Sequence, residues 1–355
     1  MKLFVYVLRT VASRILSSTL VLLAVLQVLD LLEVTPQIIG RGLGGGGMIH
    51  YALLRAPRLL DQAAPIGVLA GSIFGFMKLA SESAVVSMRA AGISTYRMAA
   101  MALPAALAMG AVNFIGVEYV APRTDPALQE WWRATGVGSE PKVVAKPRAF
   151  RVGSDVVMAS TLDLSGRTLD NVTIYRRDSA GRLIERVSAT KAAYDGDSGW
   201  RLTQPHFVRF GPKGAREGAA ESMAWNASFQ PMDVQALFSP DEMPSAASAG
   251  RALSGGGSER SPSYYATRLH RAFSHPLGGL VMLLLAVPIA LANFRSSQGG
   301  VYTAAAVGAG LFFIVVDGML VALGESGAIA PALAAWTAPI VFTALAVTAL
   351  LKLEG

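Results

Sequence analysis

Six long runs of apolar residues, separated by charged or polar segments, set the pattern of this chain. A helix that crosses ~30 Å of hydrocarbon needs about 20 mostly apolar residues, because each residue adds ~1.5 Å. The first two runs are shorter than this, but a terminal charge that reaches the interface extends them to spanning length. We therefore predict six transmembrane helices, built on residues 15–29, 62–77, 98–117, 272–294, 296–316 and 326–351.

Between the third and fourth runs the pattern becomes that of a water-soluble domain. Residues 123–262 carry 18 of the chain's 31 Lys and Arg residues and 16 of its 24 Asp and Glu residues. Alternation of apolar and polar positions in DVVMAST and NVTIYRR, with turn sequences such as DSAGR, predicts β-strands. We expect a small all-β domain from about 140 to 235, followed by a Gly/Ser-rich tether at 241–262.

The predicted organisation is three helices in residues 1–122, the β domain and its tether in 123–262, and three helices in 263–355. A hydrophobic content of 52%, only 15% charged residues and a mean hydropathy of +0.44 are too apolar for an ordinary soluble protein of this length. Lys and Arg lie before the first run, in the second and fourth connections and after the last run. The positive-inside rule therefore predicts cytoplasmic termini and an outward-facing β domain.

Sequence motifs that would indicate an enzyme are missing. The chain has no Walker A, HExxH or GxSxG pattern, and its four histidines lack metal-ligand spacing. A GxGxxG match at 40–45 follows an apolar helix rather than a strand, which favours a flexible turn over a dinucleotide site. With no cysteine, disulfides and thiolate metal sites are excluded. We predict no catalytic residue, no metal site and no cofactor held by this chain.

Charged and polar residues within or beside the apolar runs are candidate functional positions, because a charge at the centre of a span costs about 2.5–3.5 kcal/mol. Asp317 directly follows the fifth run and has apolar residues on both sides, and Gln27 and Asp30 form a polar stripe on one face of the first helix. Basic residues near the start of the second helix could neutralise that stripe or meet an anionic substrate. Solvation at helix ends is the alternative. The candidates are Gln27, Asp30, Arg41, Arg55, Arg58 and Asp317.

A short polar segment between the second and third runs, SESAVVSMRAAGISTYRM, predicts a helix of its own at about 81–92. Ser81 or Ser83 can cap its start, and Gly92 can end it in the left-handed conformation. Ser94 or Thr95 can cap the next helix. The segment is either a solvent-facing connector or a handle gripped by another protein. A short helix fixed to two spans would move both when it is pushed.

Together these features resemble the LptF/LptG (YjgP/YjgQ) family of lipopolysaccharide-export permeases. The resemblance covers essentially the whole chain and is most specific in VSMRAAGIS, RAPRLLDQAAPIGVLAG and GAIAPALAAWTAPIVF. The last motif and the short C-terminus look more like LptG than LptF. The resemblance implies a six-helix protein of the bacterial inner membrane with an inserted jellyroll-like β domain in the periplasm. It also implies extraction of lipopolysaccharide from the membrane and transfer to a periplasmic bridge.

The resemblance further implies partners. These are a homologous permease (LptF-like), two cytoplasmic ATPase subunits (LptB-like) that use ATP and Mg, and a single-span periplasmic bridge protein (LptC-like). The segment at 81–92 would be the coupling helix that docks on the ATPase, and it has Ala84 where such permeases usually carry Glu. The residues implied in this coupling are Glu82, Val85, Met88, Arg89 and Gly92.

Alternatives to an LptG-like permease remain open at this point. The same architecture would serve the LptF-like partner of the same exporter. A different class of function is an ion-coupled secondary transporter that uses Asp30 and Asp317, although no convincing inverted repeat supports it. A membrane scaffold without transport is the third alternative.

Overall fold

The computed structural model describes residues 2–136, 147–161, 165–178, 180–196, 199–211, 214–227, 229–238, 244–292 and 299–352. The chain divides into two compact units. Unit 1 comprises Met1–Gln129 and His270–Gly355, and unit 2 comprises Glu130–Leu269. Each unit has its own buried apolar core.

The N-terminal part of the chain is helical. Helix α1, with 39 residues, is followed by α2 with 38 residues, the seven-residue α3 and α4. A π-helical turn, Gly116–Val120, then joins α4 to α5 without a break in the helical path. The bounds are α1 Lys2–Gly40, α2 Gly44–Ser81, α3 Ala84–Ala90, α4 Thr95–Ile115 and α5 Ala121–Ala134.

Unit 2 contains an antiparallel sheet whose nine described strands follow the order β7-β6-β4-β3-β2-β1-β9, with β5 pairing β4 and β8. The central strand β4 bonds β6 along its first half and β5 along its second, so the sheet divides at this strand. The strands are β1 Arg148–Val152, β2 Asp155–Ser160, β3 Thr168–Arg177, β4 Leu183–Tyr194, β5 Trp200–Thr203, β6 His206–Gly211, β7 Gly214–Ala219, β8 Ser222–Trp225 and β9 Gly257–Ser258, with helices α6 Pro231–Phe238 and α7 Ala246–Leu253 before β9.

Aromatic side chains form the centre of the unit 2 core. The indole of Trp200 is fully buried, stacks on Phe229 with ring centroids 5.1 Å apart, and donates its Nε1–H to the Phe229 carbonyl at 2.8 Å. Trp225 and Phe150 pack on the same Phe229 ring. Such burial of large rings with their polar atoms satisfied is the main source of stability in a small β domain.

The predicted Gly/Ser-rich tether is wrong for the described part of residues 241–262. Ser245 caps α7 by accepting a hydrogen bond from the Ser248 amide, and Arg251 in α7 pairs with the buried Asp233 at 2.9 Å. The strand β9 then bonds to β1. Low side-chain complexity therefore did not prevent order, because capping, an ion pair and strand pairing hold this segment. Residues 241–243 lie outside the described residues.

The C-terminal part of the chain returns to long helices. Its elements are α8 Pro262–Ser274, a 3₁₀ turn His275–Leu277, α9 Gly278–Ala292, α10 Gly299–Ser326 and α11 Pro331–Lys352. With α1, α2 and the path through α4 and α5, these give six stretches long and apolar enough to cross a membrane. The six predicted transmembrane helices, and an all-β insertion between the third and fourth, are confirmed.

The fifth and sixth helices differ in extent from the apolar runs on which they were predicted. Helix α10 continues nine residues beyond Asp317, where the apolar run ends at a charge, because that charge is paired within the protein. The last helix starts at Pro331 rather than at 326, since Gly327 adopts a φ of +81° and ends α10. Proline suits the first helical turn, where its missing N–H is not needed.

Small residues bring α1 and α2 into close contact. A Cβ on Gly71 would lie 2.3 Å from the Cα of Ile15, and one on Gly67 would lie 2.2 Å from the Thr19 hydroxyl. Helices in lipid gain little from the hydrophobic effect and associate through such close backbone packing. The first half of α1 is thereby fixed against α2.

Candidate coupling helix and charged residues of unit 1

Helix α3 ends as its sequence predicts. Gly92 adopts a φ of +76°, its amide donates to the Arg89 carbonyl at 2.9 Å, and the Ile93 amide donates to the Met88 carbonyl at 2.9 Å. This is the Schellman arrangement, which satisfies two carbonyls that the helix end would leave unpaired. Ser94 then caps α4 by accepting from the Arg97 amide. The chain therefore reverses sharply, and α3 is a discrete short helix.

The predicted side-chain cap at the start of α3 is wrong. Ser83 occupies the N-cap position with a φ of +57°, and its hydroxyl makes no capping hydrogen bond. The Ser81 hydroxyl donates to the carbonyl of Lys78 instead. The tight left-handed corner at Ser83, not a side chain, sets the direction in which α3 leaves α2.

The apolar stripe of α3 faces the protein's own core. Val85 and Met88 are only 5% and 4% exposed and belong to the buried cluster of unit 1. The Arg89 guanidinium is half-buried and donates to the Thr95 hydroxyl at 3.2 Å. Of the residues implied in coupling, Val85 and Met88 therefore face the core of unit 1. Val86, which is 61% exposed and was not singled out from the sequence, lies on the exposed side of α3.

Glu82 sits at the corner between α2 and α3 and is held by two neighbours. The Tyr6 hydroxyl of α1 donates to its Oε2 at 2.6 Å, and the Lys78 ammonium lies 3.8 Å from its Oε1. Ala84, two residues later, is half-buried and packs on the core. The carboxylate thus links the start of α1 to the corner and does not extend from α3 itself.

Asp30 and Arg55 pair across α1 and α2, as the sequence allowed. Their atoms Oδ1 and Nε are 3.4 Å apart, a long contact, and the arginine side chain is still 37% exposed. One turn before Asp30 on α1, the Nε2 of Gln27 is buried, and no acceptor for it lies among the described residues. Arg41 lies in the short turn between α1 and α2 and is half-exposed. The GxGxxG match around it is this turn, as predicted.

Arg58 is engaged by a residue that the sequence did not single out. Its Nη2 and Nε lie 2.6 and 2.8 Å from Oδ2 of Asp125 in α5. The two side chains are 13% and 9% exposed. A desolvated ion pair of this geometry joins α2 to the third span. The prediction that Arg58 meets substrate therefore gains no support from the geometry.

Asp317 also has a partner within the chain. Its Oδ2 accepts from Nη1 of Arg271 in α8 at 2.7 Å, and both side chains are mostly buried. This pair explains how a carboxylate is tolerated in the middle of the apolar α10. It joins the fourth and fifth spans.

A third polar cluster in the spans is centred on Asp61 of α2. Oδ1 of Asp61 accepts from the side-chain Nδ2 of Asn113 in α4 at 3.0 Å and lies 2.9 Å from Nε2 of His275. The residues come from the second, third and fourth spans. Asn113 is 52 residues from Asp61 and His275 is 214 residues away, so no local pattern reveals the cluster.

Comparison with known proteins places this arrangement in a family. The family described as lipopolysaccharide export system permease LptF/LptG matches residues 5–352. The chain belongs to the LptF/LptG family. Among its relatives are proteins named lipopolysaccharide export system permease protein LptG. The one from Escherichia coli (strain K12) is 24% identical over 277 residues, covering 77% of this chain and 76% of the relative. The Haemophilus influenzae Rd protein is 22% identical over 283 residues, with the same coverage.

Family membership confirms the resemblance drawn from VSMRAAGIS and the other motifs. The chain is a multi-pass membrane protein of the lipopolysaccharide-export permease type, with six apolar spans and an inserted antiparallel β unit. Both relatives named above are LptG proteins, which agrees with the predicted likeness to LptG over LptF.

Proposed function

We propose that this chain is the LptG-like permease subunit of an ATP-driven lipopolysaccharide exporter in the bacterial inner membrane. The observation that carries the proposal is α3, a discrete helix rooted in the core and attached to two spans. A homologous LptF-like permease, two LptB-like ATPase subunits and a single-span LptC-like bridge protein complete the exporter. ATP and Mg are bound by the ATPase subunits.

The distribution of basic residues supports one orientation. Arg9, Arg14, Lys78 and Arg97 surround α3 and the start of α1, and Lys352 ends α11. Positive charge favours the cytoplasmic side. Both termini and α3 then face the cytoplasm, and the β unit, inserted after the third span, lies in the periplasm. There it receives acyl chains from the membrane unit and passes them to the bridge.

The faces of α3 suggest how the ATPase acts. Val86 and its exposed neighbours offer an outer surface for docking, while Val85 and Met88 anchor the helix in unit 1. A push on α3 is therefore delivered to α2 and α4 rather than absorbed by a flexible loop. Through Glu82 and Tyr6 it also reaches the start of α1. Helix α1 then forms a lateral gate with the fifth helix of the LptF-like partner. Helix α10, the fifth span of this chain, forms the equivalent gate with the partner's first helix.

Gln27 and Arg55 are better placed to bind the substrate than Arg58 and Asp317, which are in tight ion pairs. Arg55 is the most exposed of the arginines in the ion pairs of the spans and makes the longest contact. With Arg41 it supplies positive charge for the phosphates of the lipid, and the buried Nε2 of Gln27 supplies a donor. Asp30 orients Arg55. Arg58 and Asp317 instead hold helices together.

Purification of the chain with co-expressed neighbouring subunits tests the proposal. We expect an ATPase to co-purify with the wild-type chain, and Val86→Asp to weaken this association by about tenfold, because a charge replaces an exposed apolar docking residue. Phe210→Asp is the matched control, since Phe210 is 44% exposed but lies on β6. If no ATPase co-purifies with the wild type, the motor-coupled function is contradicted.

The ion-coupled alternative is disfavoured by the ion pair of Asp317. Coupling to an ion requires a carboxylate that can exchange its partner, whereas Asp317 is bound to Arg271 at 2.7 Å. Transport that persists without ATP but collapses with the proton or sodium gradient would favour this alternative over an ATPase-driven permease.

A further inference from the structure

The fourth span is interrupted by a turn that other helices hold in place from two sides. The turn, His275–Leu277, separates α8 from α9. On one side the carbonyl oxygen of Pro276 approaches α4 so closely that a Cβ on Gly110 would lie 2.6 Å from it. On the other side His275 contacts Asp61 of α2. The position of the turn is therefore defined by α2 and α4 together.

Asp61 is the centre of this contact. A single carboxylate oxygen accepts from the Asn113 side-chain Nδ2 and lies 2.9 Å from Nε2 of His275, a contact in which a protonated Nε2 donates to Asp61. Asp61 also lies four residues before Pro65, whose missing N–H leaves the Asp61 carbonyl without its usual helical donor. The polar side chain thus fastens α2 at a place where its backbone ladder is interrupted.

The same face of the fourth span reaches α10. Arg271 lies one turn before His275 and binds Asp317 at 2.7 Å. One short stretch of chain therefore carries two polar contacts, one to α2 and one to α10. Helices in lipid associate through van der Waals packing and interhelical hydrogen bonds, and charged residues within spans pair with specific partners.

We infer that Asp61 is a positioning residue for transport, which holds the His275 turn to α2 so that movement of α2 is passed through Arg271 to Asp317 on α10. The inference rests on the proposed function, because α2 is moved by an ATPase through α3. Loss of the Asp61 charge leaves α3 and its outer face intact. It removes the polar contact from α2 to the His275 turn and leaves only apolar packing, such as that of Gly310 on Leu69, between α2 and α10.

The absence of native cysteine permits a direct test in the assembled exporter. Spin labels at Leu345→Cys on α11, which is not attached to α3, and Met319→Cys on α10 occupy exposed positions, and their separation is measured without nucleotide and with ATP trapped. We expect the wild-type separation to change on trapping. In Asp61→Asn the change should be lost, and lipopolysaccharide release should fall about tenfold while ATP hydrolysis stays within about twofold.

Two controls separate coupling from stability. Asp125→Asn also neutralises a buried aspartate of the spans, but it is bound to Arg58 and not to the fourth-span turn, so the distance change should persist. His275→Gln keeps a donor for Asp61 and should retain release, whereas His275→Leu should lose it. The comparison of His275→Gln with His275→Leu also serves as the test if Asp61→Asn does not accumulate in the membrane.

The outcomes distinguish this inference from the proposed function. If the wild-type chain binds no ATPase, the proposed function is contradicted. If the exporter assembles and Asp61→Asn keeps both the distance change and wild-type release, the positioning role of Asp61 is overturned. Equal release by His275→Leu and His275→Gln would overturn it in the same way.

Discussion

Replacement of Gly92 by proline is expected to abolish lipopolysaccharide export while the chain still inserts into the membrane. Gly92 has a φ of +76°, and its N–H closes the last turn of α3 on the Arg89 carbonyl. Proline fixes φ near −65° and has no N–H, so both features are lost and α3 leaves its position against the core. Export by the reconstituted complex should fall by more than about tenfold, the change in rate that 1.4 kcal/mol produces.

Gly92→Asn is the matched control for this result. Asparagine tolerates the left-handed conformation better than other residues with a Cβ, and it keeps the backbone donor. A Cβ at this position meets open space, so side-chain size is not the obstacle. Export close to wild type by the asparagine variant, with a normal amount of both variants in the membrane fraction, is expected. Normal export by the proline variant would contradict the role of α3.

Arg58→Leu is expected to lower the free energy of unfolding of the membrane unit by about 3–5 kcal/mol, the range found when one partner of a buried ion pair is removed. The reason is that Asp125, with a side chain only 9% exposed, would remain without the guanidinium 2.6 Å away. Thermal unfolding in detergent micelles would report this as a lower midpoint for unit 1.

The double variant Arg58→Leu/Asp125→Leu decides what Arg58 does. If the pair only joins α2 to α5, replacing both charges by apolar side chains should restore most of the stability and also the export. If Arg58 binds the lipid, export should stay low in the double variant although stability returns. The geometry predicts recovery of both.

Much of the fold could be predicted from the sequence because a membrane span is recognised from the local composition of about 20 residues. An apolar run that is bounded by a charge does not give the full extent of the helix. Asp317 ended the predicted fifth run, yet α10 continues to Ser326, since Arg271 neutralises the carboxylate. The Gly/Ser-rich tether was wrong because composition alone does not show which side chains find partners. Its Gly/Ser-rich composition indicates flexibility, but Ser245 and Arg251 make specific contacts that composition does not encode.

In the candidate site, too, features set by neighbouring residues could be predicted, and features set by long-range packing could not. Gly92 and Ser94 were predictable because capping depends on residues within one turn. The direction of Val85 and Met88 was not, because a short amphipathic stripe can face either the protein or a partner. The contacts of Arg58, Asp317 and Asp61 join residues 67, 46 and 214 positions apart. One sequence shows that such charges need partners, but only packing shows which partners they have.

Crosslinking from α3 tests whether the exposed side of this helix contacts the ATPase. A photoreactive amino acid is placed at Val86, which is 61% exposed, and separately at Met88, which is 4% exposed. Both variants are irradiated in the complex that contains the ATPase. We expect Val86 to crosslink to the ATPase subunit and Met88 to crosslink only within its own chain. No crosslink from Val86 to an ATPase that is present in the complex would contradict it.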